Sequence, residues 1–227
     1  MGVKVAVAAY LAGLLDSEGT LGVKVSRRTD ASYKFGYVIE PYIHFTQGKR
    51  REHFVRGVQS ITGMGTIREH TRKVRRTFVH KHLDTKLEAW VYLLIGRERE
   101  VLTLIRAIKP YLIFKARQAE LIEQILKKKM RGEHCSLEGF LECLDLAYEC
   151  RMQSTFLTRM TWTTKERFDK IRLEAKENWE KWLHRIPKPP KDGRKYREEG
   201  YRCRVCGAVF HDPGGLGGHV KNVHRRL

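Results

Sequence analysis

Acidic side chains are in short supply in this 227-residue chain: 26 Asp and Glu stand against 45 Lys and Arg, a formal net charge of +19. That deficit draws polyanions, whose binding weakens with salt as counterions are released, and on its own it suits a basic ribosomal-type or membrane-surface protein equally. Cysteine is sparse too, and its number, five, is odd. It fits poorly with a secreted disulfide framework and points to a reducing, intracellular compartment. The apolar run Val5 to Leu15, preceded by Lys4, is too short to span a bilayer. It has the length of a signal h-region but leads straight into Asp16, Ser17 and Glu18 without a cleavage pattern, so neither a signal peptide nor a membrane anchor is expected. Prolines number six, and three of them fall together at Pro187, Pro189 and Pro190. No long internal repeat is visible.

What is present reads as globular. Apolar residues make up 41% and charged residues 31%, and the four Trp, nine Tyr and nine Phe are enough for a real core. The basic residues alternate with apolar ones along the chain, which sets it apart from a protein with one basic tail. Residues 3 to 15 read as an apolar helix. In the stretch that follows, Leu21, Val23 and Val25 alternate with Lys24, Ser26 and Arg28, the period of a half-buried strand. Turn residues 29 to 32 lead to a second strand over 33 to 47, then a helix over 49 to 62 that Gly63 and Gly65 punctuate. Thr66 to Leu83 reads as two strands hinged around Arg72 to Arg76. Thr85 to His184 reads as helical, with breaks near Gly96, Pro110, Gly132 and Thr161 to Thr164. The order is α+β. Residues 1–185 form the main domain, 186–200 a Pro-rich charged linker and 201–227 a separate small module.

That module carries metal-ligand spacing. Cys203-x2-Cys206 is followed after twelve residues by His219-x4-His224, with Tyr201, Phe210 and Leu216 at the apolar positions of a ββα zinc finger. Two thiolates from a hairpin and two imidazoles from successive turns of one helix face suit tetrahedral Zn2+. The base-reading positions of its helix fall on Asp212, Gly215 and Gly218, and glycines have no side chain to offer a base edge. The finger therefore adds affinity, either by holding phosphate through Lys221, Arg225 and Arg226 or by packing on the main domain. Cys135, Cys143 and Cys150, beside His134, read as thiols of helical segments and not as a second metal site.

The segment Leu11-Ala-Gly-Leu-Leu-Asp-Ser-Glu-Gly19 resembles the LAGLIDADG signature of homing endonucleases, closest to the single-motif, homodimeric, intron-encoded members. Four further stretches resemble that family in the expected order, over about residues 5 to 170. His44-Phe-Thr-Gln47 with Lys49-Arg-Arg51 is similar to its strand-to-helix junction, and Lys109 to Gln118 to the segment carrying its active-site Lys. Thr158-Arg159-Met160-Thr161 is similar to a late segment that touches DNA backbone, and Ser32-Tyr-Lys-Phe35 to a hairpin turn. The resemblance implies an αββαββα fold with a saddle-shaped antiparallel sheet and C-terminal helices. The chain departs from it in having Glu18 where many relatives have Asp, a longer hairpin before Tyr33, extra residues near Arg97 to Val101, and the zinc finger.

The chemistry implied is Mg2+- or Mn2+-dependent hydrolysis of both strands of a long, pseudo-palindromic double-stranded DNA target. The resemblance assigns metal binding to Glu18 and the backbone carbonyl of Ser17, and solvent positioning to Gln47. It gives Arg51 and Lys115 the scissile phosphate. A single motif means one Glu18 per chain, so a homodimer is implied, with the small residues Ala9, Ala12 and Gly13 letting two helices approach. Glu18 would then emerge just past its helix end, with Asp16 capping the helix or supporting the interface. Strand alternation offers Lys24, Ser26 and Arg28, then Glu40, Tyr42 and His44, then Arg68, His70 and Arg72, to the major groove. Lys34, Arg75, Thr158, Arg159 and Thr161 join them as DNA contacts. Two alternatives use the same surface without needing Glu18: a maturase acting on intron RNA, and a non-catalytic DNA-binding regulator.

Overall fold

The computed structural model describes residues 5–28, 33–75, 85–153, 161–183, 201–203, 209–210 and 213–220. The chain divides into two compact units, Met1–Val23 with Pro41–Glu123, and Lys24–Glu40 with Gln124–Leu227. Helix α1 (Val5–Glu18), strands β1 (Gly19–Arg27) and β2 (Tyr37–Gly48), helix α2 (Glu52–Thr62), strands β3 (Thr66–Arg75) and β4 (Thr85–Ile95) and helix α3 (Glu98–Ile108) give the order αββαββα. They are followed by α4 (Ala116–Met130), α5 (Leu137–Met152) and α6 (Thr161–Leu183). The four strands form one sheet in the order β1-β2-β4-β3, with β4 antiparallel to both of its neighbours.

The first unit is organised by the two faces of the sheet. Ile43 and Phe45 of β2 stand opposite Ile95 and Leu93 of β4, and Ile67 of β3 stands opposite Leu93. Ile43, Phe45, Val91, Leu93 and Ile95 are at most 1% exposed, and each such burial contributes about 1.5–3 kcal/mol. Helix α2 packs on β4 and turns its buried Val55 and Val58 inward. Helix α1 packs on α3, burying Leu11, Ala12 and Leu15 at the three-to-four-residue spacing of one helix face. In the second unit α5 packs on α6. Phe140, Leu144 and Ala147 of α5 and Phe168, Ile171 and Ala175 of α6 form the buried stripes. The Ser136 hydroxyl caps α5 by accepting from the Gly139 N–H at 3.1 Å.

Five boundaries differ from the sequence reading. Thr85–Ile95 is a strand, not the start of a helical region, and Thr66–Arg75 is one strand where two were expected. The second strand begins at Tyr37, not residue 33. Thr161 to Thr164 begins helix α6 instead of breaking one, and α1 runs to Glu18, past the expected end at residue 15. Strand β4 was misread because both of its faces are apolar or aromatic between Ala89 and Ile95. A central strand with little alternation looks like a helix segment. The expected linker, residues 186–200, and the segment Thr158 to Arg159 lie outside the described residues. Among the described residues no helix is long and apolar enough to cross a membrane.

Candidate active site and nucleic-acid interface

A helix leaves its last carbonyls without intrahelical partners, and the end of α1 is where the candidate residues gather. The Lys115 ammonium donates to the carbonyl oxygens of Leu15 at 2.8 Å and Asp16 at 2.6 Å. The Asp16 carboxylate answers in the other direction. Its Oδ2 accepts the backbone N–H of Ile113 at 2.7 Å and of Phe114 at 3.2 Å, and its Oδ1 accepts that of Lys115 at 3.0 Å. Asp16 thus holds the turn that carries Lys115. Burial holds the Lys115 ammonium below the usual lysine range, with the Asp16 charge opposing that shift.

Glu18, the last residue of α1, is exposed. Its Oε2 accepts from Gln47 Nε2 at 3.0 Å. Gln47 stands near the end of β2, opposite Val91 and in the same alternating row as Ile43 and Phe45. The next residue, Gly19, allows the chain to fold back directly beneath Glu18. A Cβ at position 19 would lie 2.5 Å from Leu15 Cδ1 and 2.9 Å from Leu15 Cα. Glu18, Gln47 and, through Asp16, Lys115 are therefore brought to one end of α1. Arg51 is exposed at the close of the 3-10 turn Lys49–Arg51, just past β2. The Ser17 side chain is turned back on its own helix, its hydroxyl donating to the Gly13 carbonyl at 2.9 Å.

Of the small residues on α1, Ala9 and Gly13 are exposed, whereas Ala12 is 0% exposed within the chain itself. Ala12 belongs to the chain's own core and does not lie on the outer face of the helix. Two large apolar side chains beside the Lys115 turn stand almost wholly in solvent, Ile113 at 79% and Phe114 at 81% exposure.

The sheet face opposite the core carries the expected polar residues, and in the first unit it carries more besides. Tyr42 and His44 stand on β2, and Arg68 and His70 on β3 lie directly opposite Tyr92 and Trp90 of β4. Trp90 and Tyr92 escaped the sequence reading because their strand did. The unbroken run from Ala89 to Ile95, rich in β-branched and aromatic residues and closed by Gly96, was the signal that could have exposed them. The His44 ring meets Tyr92 edge-on at 4.8 Å, and burial pushes its pKa below the ordinary histidine value. Arg72 and Arg75 are on β3, opposite Glu88 and Thr85, with side chains outside the described residues. The same holds for the side chain of Thr161 at the start of α6.

In the second unit several expected DNA contacts are already engaged with the protein. Glu40 accepts from the Ser26 hydroxyl at 3.1 Å and from Arg28 at 3.3 Å. Lys34 donates to the Cys135 carbonyl at 3.1 Å, and its ammonium lies 4.8 Å from the Trp182 ring centre. Lys24 is exposed. Cys143 and Cys150 are buried, and burial raises their thiols to about 11 and about 12. At the C-terminal end, β5 (Tyr201–Arg202) pairs antiparallel with β6 (Val209–Phe210), ahead of helix α7 (Pro213–His219). Cys203 is buried, and the Phe210 ring sits 4.7 Å from that of His219. Cys206 and His224 lie outside the described residues. Among the described residues no group of three or more His, Cys, Asp and Glu is arranged to hold a metal ion.

No family model and no curated protein matches the sequence. Solved structures do. The homing endonuclease I-CvuI, in complex with its target in the presence of Ca, is 21% identical with a TM-score of 0.58, the match covering 80% of this chain and 98% of that one. The archaeal intron-encoded homing endonuclease I-Vdi141I, complexed with DNA, is 19% identical with a TM-score of 0.57, over 75% of this chain and 95% of that one. The homing endonuclease I-TnaI is 24% identical with a TM-score of 0.54, over 76% of this chain and 100% of that one. The chain thus has the α+β fold of the LAGLIDADG homing endonucleases, a four-stranded antiparallel sheet with helices.

Proposed function

We propose that the protein is a site-specific, divalent-metal-dependent DNA endonuclease acting as a homodimer on a long, pseudo-palindromic duplex. The observation that carries this reading is the Glu18–Gln47 hydrogen bond of 3.0 Å at the same helix end to which Lys115 is tied. A binding-only protein or a maturase has no use for that combination. The donors fit Mg2+ or Mn2+: an exposed carboxylate at Glu18 and the Ser17 carbonyl in the last turn of α1 are hard oxygen ligands. A bound divalent ion supplies charge neutralisation on the phosphate and lowers the pKa of coordinated water. Gln47 fixes the Glu18 rotamer and orients solvent beside it. Lys115 has three protons and spends two on α1 carbonyls, leaving one for the scissile phosphate. Arg51 adds an exposed positive charge from the turn that follows β2.

The pair of acids comes from two chains, with α1 meeting its copy through Ala9 and Gly13. Ile113 and Phe114 enlarge the apolar area available to that contact. DNA lies along the sheet face of Tyr42, His44, Arg68, His70, Trp90 and Tyr92, with Lys24 and Arg28 on the hairpin. Cys203, Cys206, His219 and His224 bind Zn2+ in a finger that adds affinity. The ββα order of the C-terminal module and the Phe210–His219 contact support that part of the reading.

The test is selection of sites from a randomised duplex pool, followed by cleavage of the winners with Mg2+. Wild type should cut both strands, while Glu18→Gln should bind equally and lose cleavage by at least about a thousandfold. Zinc chelation should weaken binding without changing the selected sequence. Binding without cutting by wild type, or cutting by Glu18→Gln, rules the endonuclease out.

A further inference from the structure

Helix α6 makes a series of contacts with the β1–β2 hairpin that no role in cleavage or groove contact requires. All of them lie within the second unit. Arg167 reaches the Val25 carbonyl at 3.4 Å. One turn pair further, Glu174 accepts from the Tyr37 hydroxyl at 2.5 Å and pairs with Arg27 at 3.6 Å. Asn178 donates to the Phe35 carbonyl at 3.2 Å. Glu174, Asn178 and Trp182 are spaced four apart, so one face of α6 turns toward the hairpin.

The far end of that face is aromatic. Phe35 stacks on Trp179 at 5.5 Å, and Trp179 stacks on Trp182 at 5.2 Å, extending the Phe35–Phe140 pair at 4.4 Å. The Lys34 ammonium lies over both indoles. The turn itself is shaped to this helix. Gly36 has φ 70°, and a Cβ there would come within 2.5 Å of Asn178 Nδ2, so a side chain at this position would be strained and would displace the Asn178 amide. Support from α4 and α5 is incomplete, since a cavity of about 170 Å³ remains between the hairpin and Lys129, Phe140 and Cys143. Burial and the Glu174 bond raise the Tyr37 hydroxyl to about 12, so its donor is constant across neutral pH.

We propose that α6 is a positioning brace for the β1–β2 hairpin, with Trp179, Asn178 and Glu174 fixing the pose from which Lys24 and Arg28 discriminate DNA sequence. The inference rests on the endonuclease reading for the DNA but not for the brace, and two separate measurements keep the parts distinct. The first is amide hydrogen exchange of the full-length protein without DNA. Trp179→Ala should speed exchange of the hairpin amides, including Arg28, whose N–H donates to the Gly36 carbonyl at 2.8 Å. The expected factor is about tenfold, with α1 to α3 unchanged and Trp179→Phe restoring protection. The second is site selection from a randomised duplex pool. Trp179→Ala should relax the base pairs that Arg28→Ala relaxes and leave those set by Arg68 intact, and the double variant should show no further loss.

Asn178→Ala provides a second variant if Trp179→Ala does not fold, and should give the same pattern at smaller amplitude. Unchanged hairpin exchange overturns the brace whatever the DNA results. Faster exchange with uniform loss of preference across the site, or with none, overturns its role in discrimination. If wild type enriches no sequence, the endonuclease reading fails and takes the discrimination role with it.

Discussion

Replacing Asp16 by alanine should loosen the turn that carries Lys115 while leaving the acid at Glu18 in place. Asp16 accepts three backbone N–H groups, from Ile113, Phe114 and Lys115. Hydrogen bonds to a charged acceptor contribute about 1.5–3 kcal/mol each when well shielded. Here the carboxylate is half-exposed and Ile113 and Phe114 stand in solvent, so water replaces the lost partner and the low end applies. About 2–3 kcal/mol in total is the reasoned loss for Asp16→Ala, because bonds to one group do not sum independently. Asparagine gives a graded control. Its single carbonyl oxygen can occupy the Oδ2 position and keep the Ile113 and Phe114 bonds, while its NH2 faces the Lys115 N–H, costing about 1 kcal/mol. Urea unfolding gives the stability, and amide exchange at 113–115 localises the change. Cleavage should fall about a hundredfold through kcat, since displacement of about 1 Å at a catalytic group has that effect, with the Mg2+ concentration dependence unmoved. A shifted Mg2+ dependence would instead make Asp16 a metal ligand. Stability within about 0.5 kcal/mol of wild type and unchanged exchange would refute the turn-holding role.

His44 and the buried thiols give two further expectations. Burial lowers the His44 pKa from the ordinary 6.5, so the fold favours the neutral ring. The resulting stability is complete above 6.5 and is lost as pH falls through the depressed value. Urea melts at about pH 7.5 and 5.5 should therefore show a larger acid loss in wild type than in His44→Gln; equal losses would contradict the assignment. With Cys143 and Cys150 raised to about 11 and about 12, their thiolates amount to about a thousandth or less at pH 8. Iodoacetamide should label half-exposed Cys135 first and reach the other two only at the rate of unfolding. Prompt labelling of Cys150 in the native protein would show that helix α5 is packed differently.

The parts of the site legible in the sequence were those fixed by local chemistry. Leu11, Leu15 and Gly19 belong to one helix and its exit, so the motif carries both the burial stripe and the close approach that sets Glu18. Gln47 ends a strand whose alternation is clean, with Ile39, Pro41, Ile43 and Phe45 buried and Glu40, Tyr42 and His44 between them. What could not be read was anything decided by a distant partner. Asp16 finds its three N–H donors 97 to 99 residues later, and no local pattern distinguishes it from a capping acid. Lys34 looked available to DNA because sequence cannot show that two indoles and a carbonyl 101 residues away take its ammonium.

Strand β4 failed for a different reason, and the reason bears on function. Its inward row of Val91, Leu93 and Ile95 is apolar because it is the centre of the core. Its outward row of Trp90, Tyr92 and Leu94 is nearly as apolar, although all three are only half-buried. A solvated strand would carry charged or small polar residues there, and its alternation would have been visible. The middle of the candidate DNA surface is therefore aromatic, flanked by Arg68 and His70 on β3. Positive charge at the flanks draws the phosphates and falls off with salt, whereas flat rings at the centre make short-range apolar contacts, such as those to thymine methyls. Under the proposed function, salt should govern how tightly DNA is held, and Trp90→Ala or Tyr92→Ala should change which sequence is selected at the central strand. The same feature hid the strand from a periodicity reading and gives its outer face a surface suited to a partner.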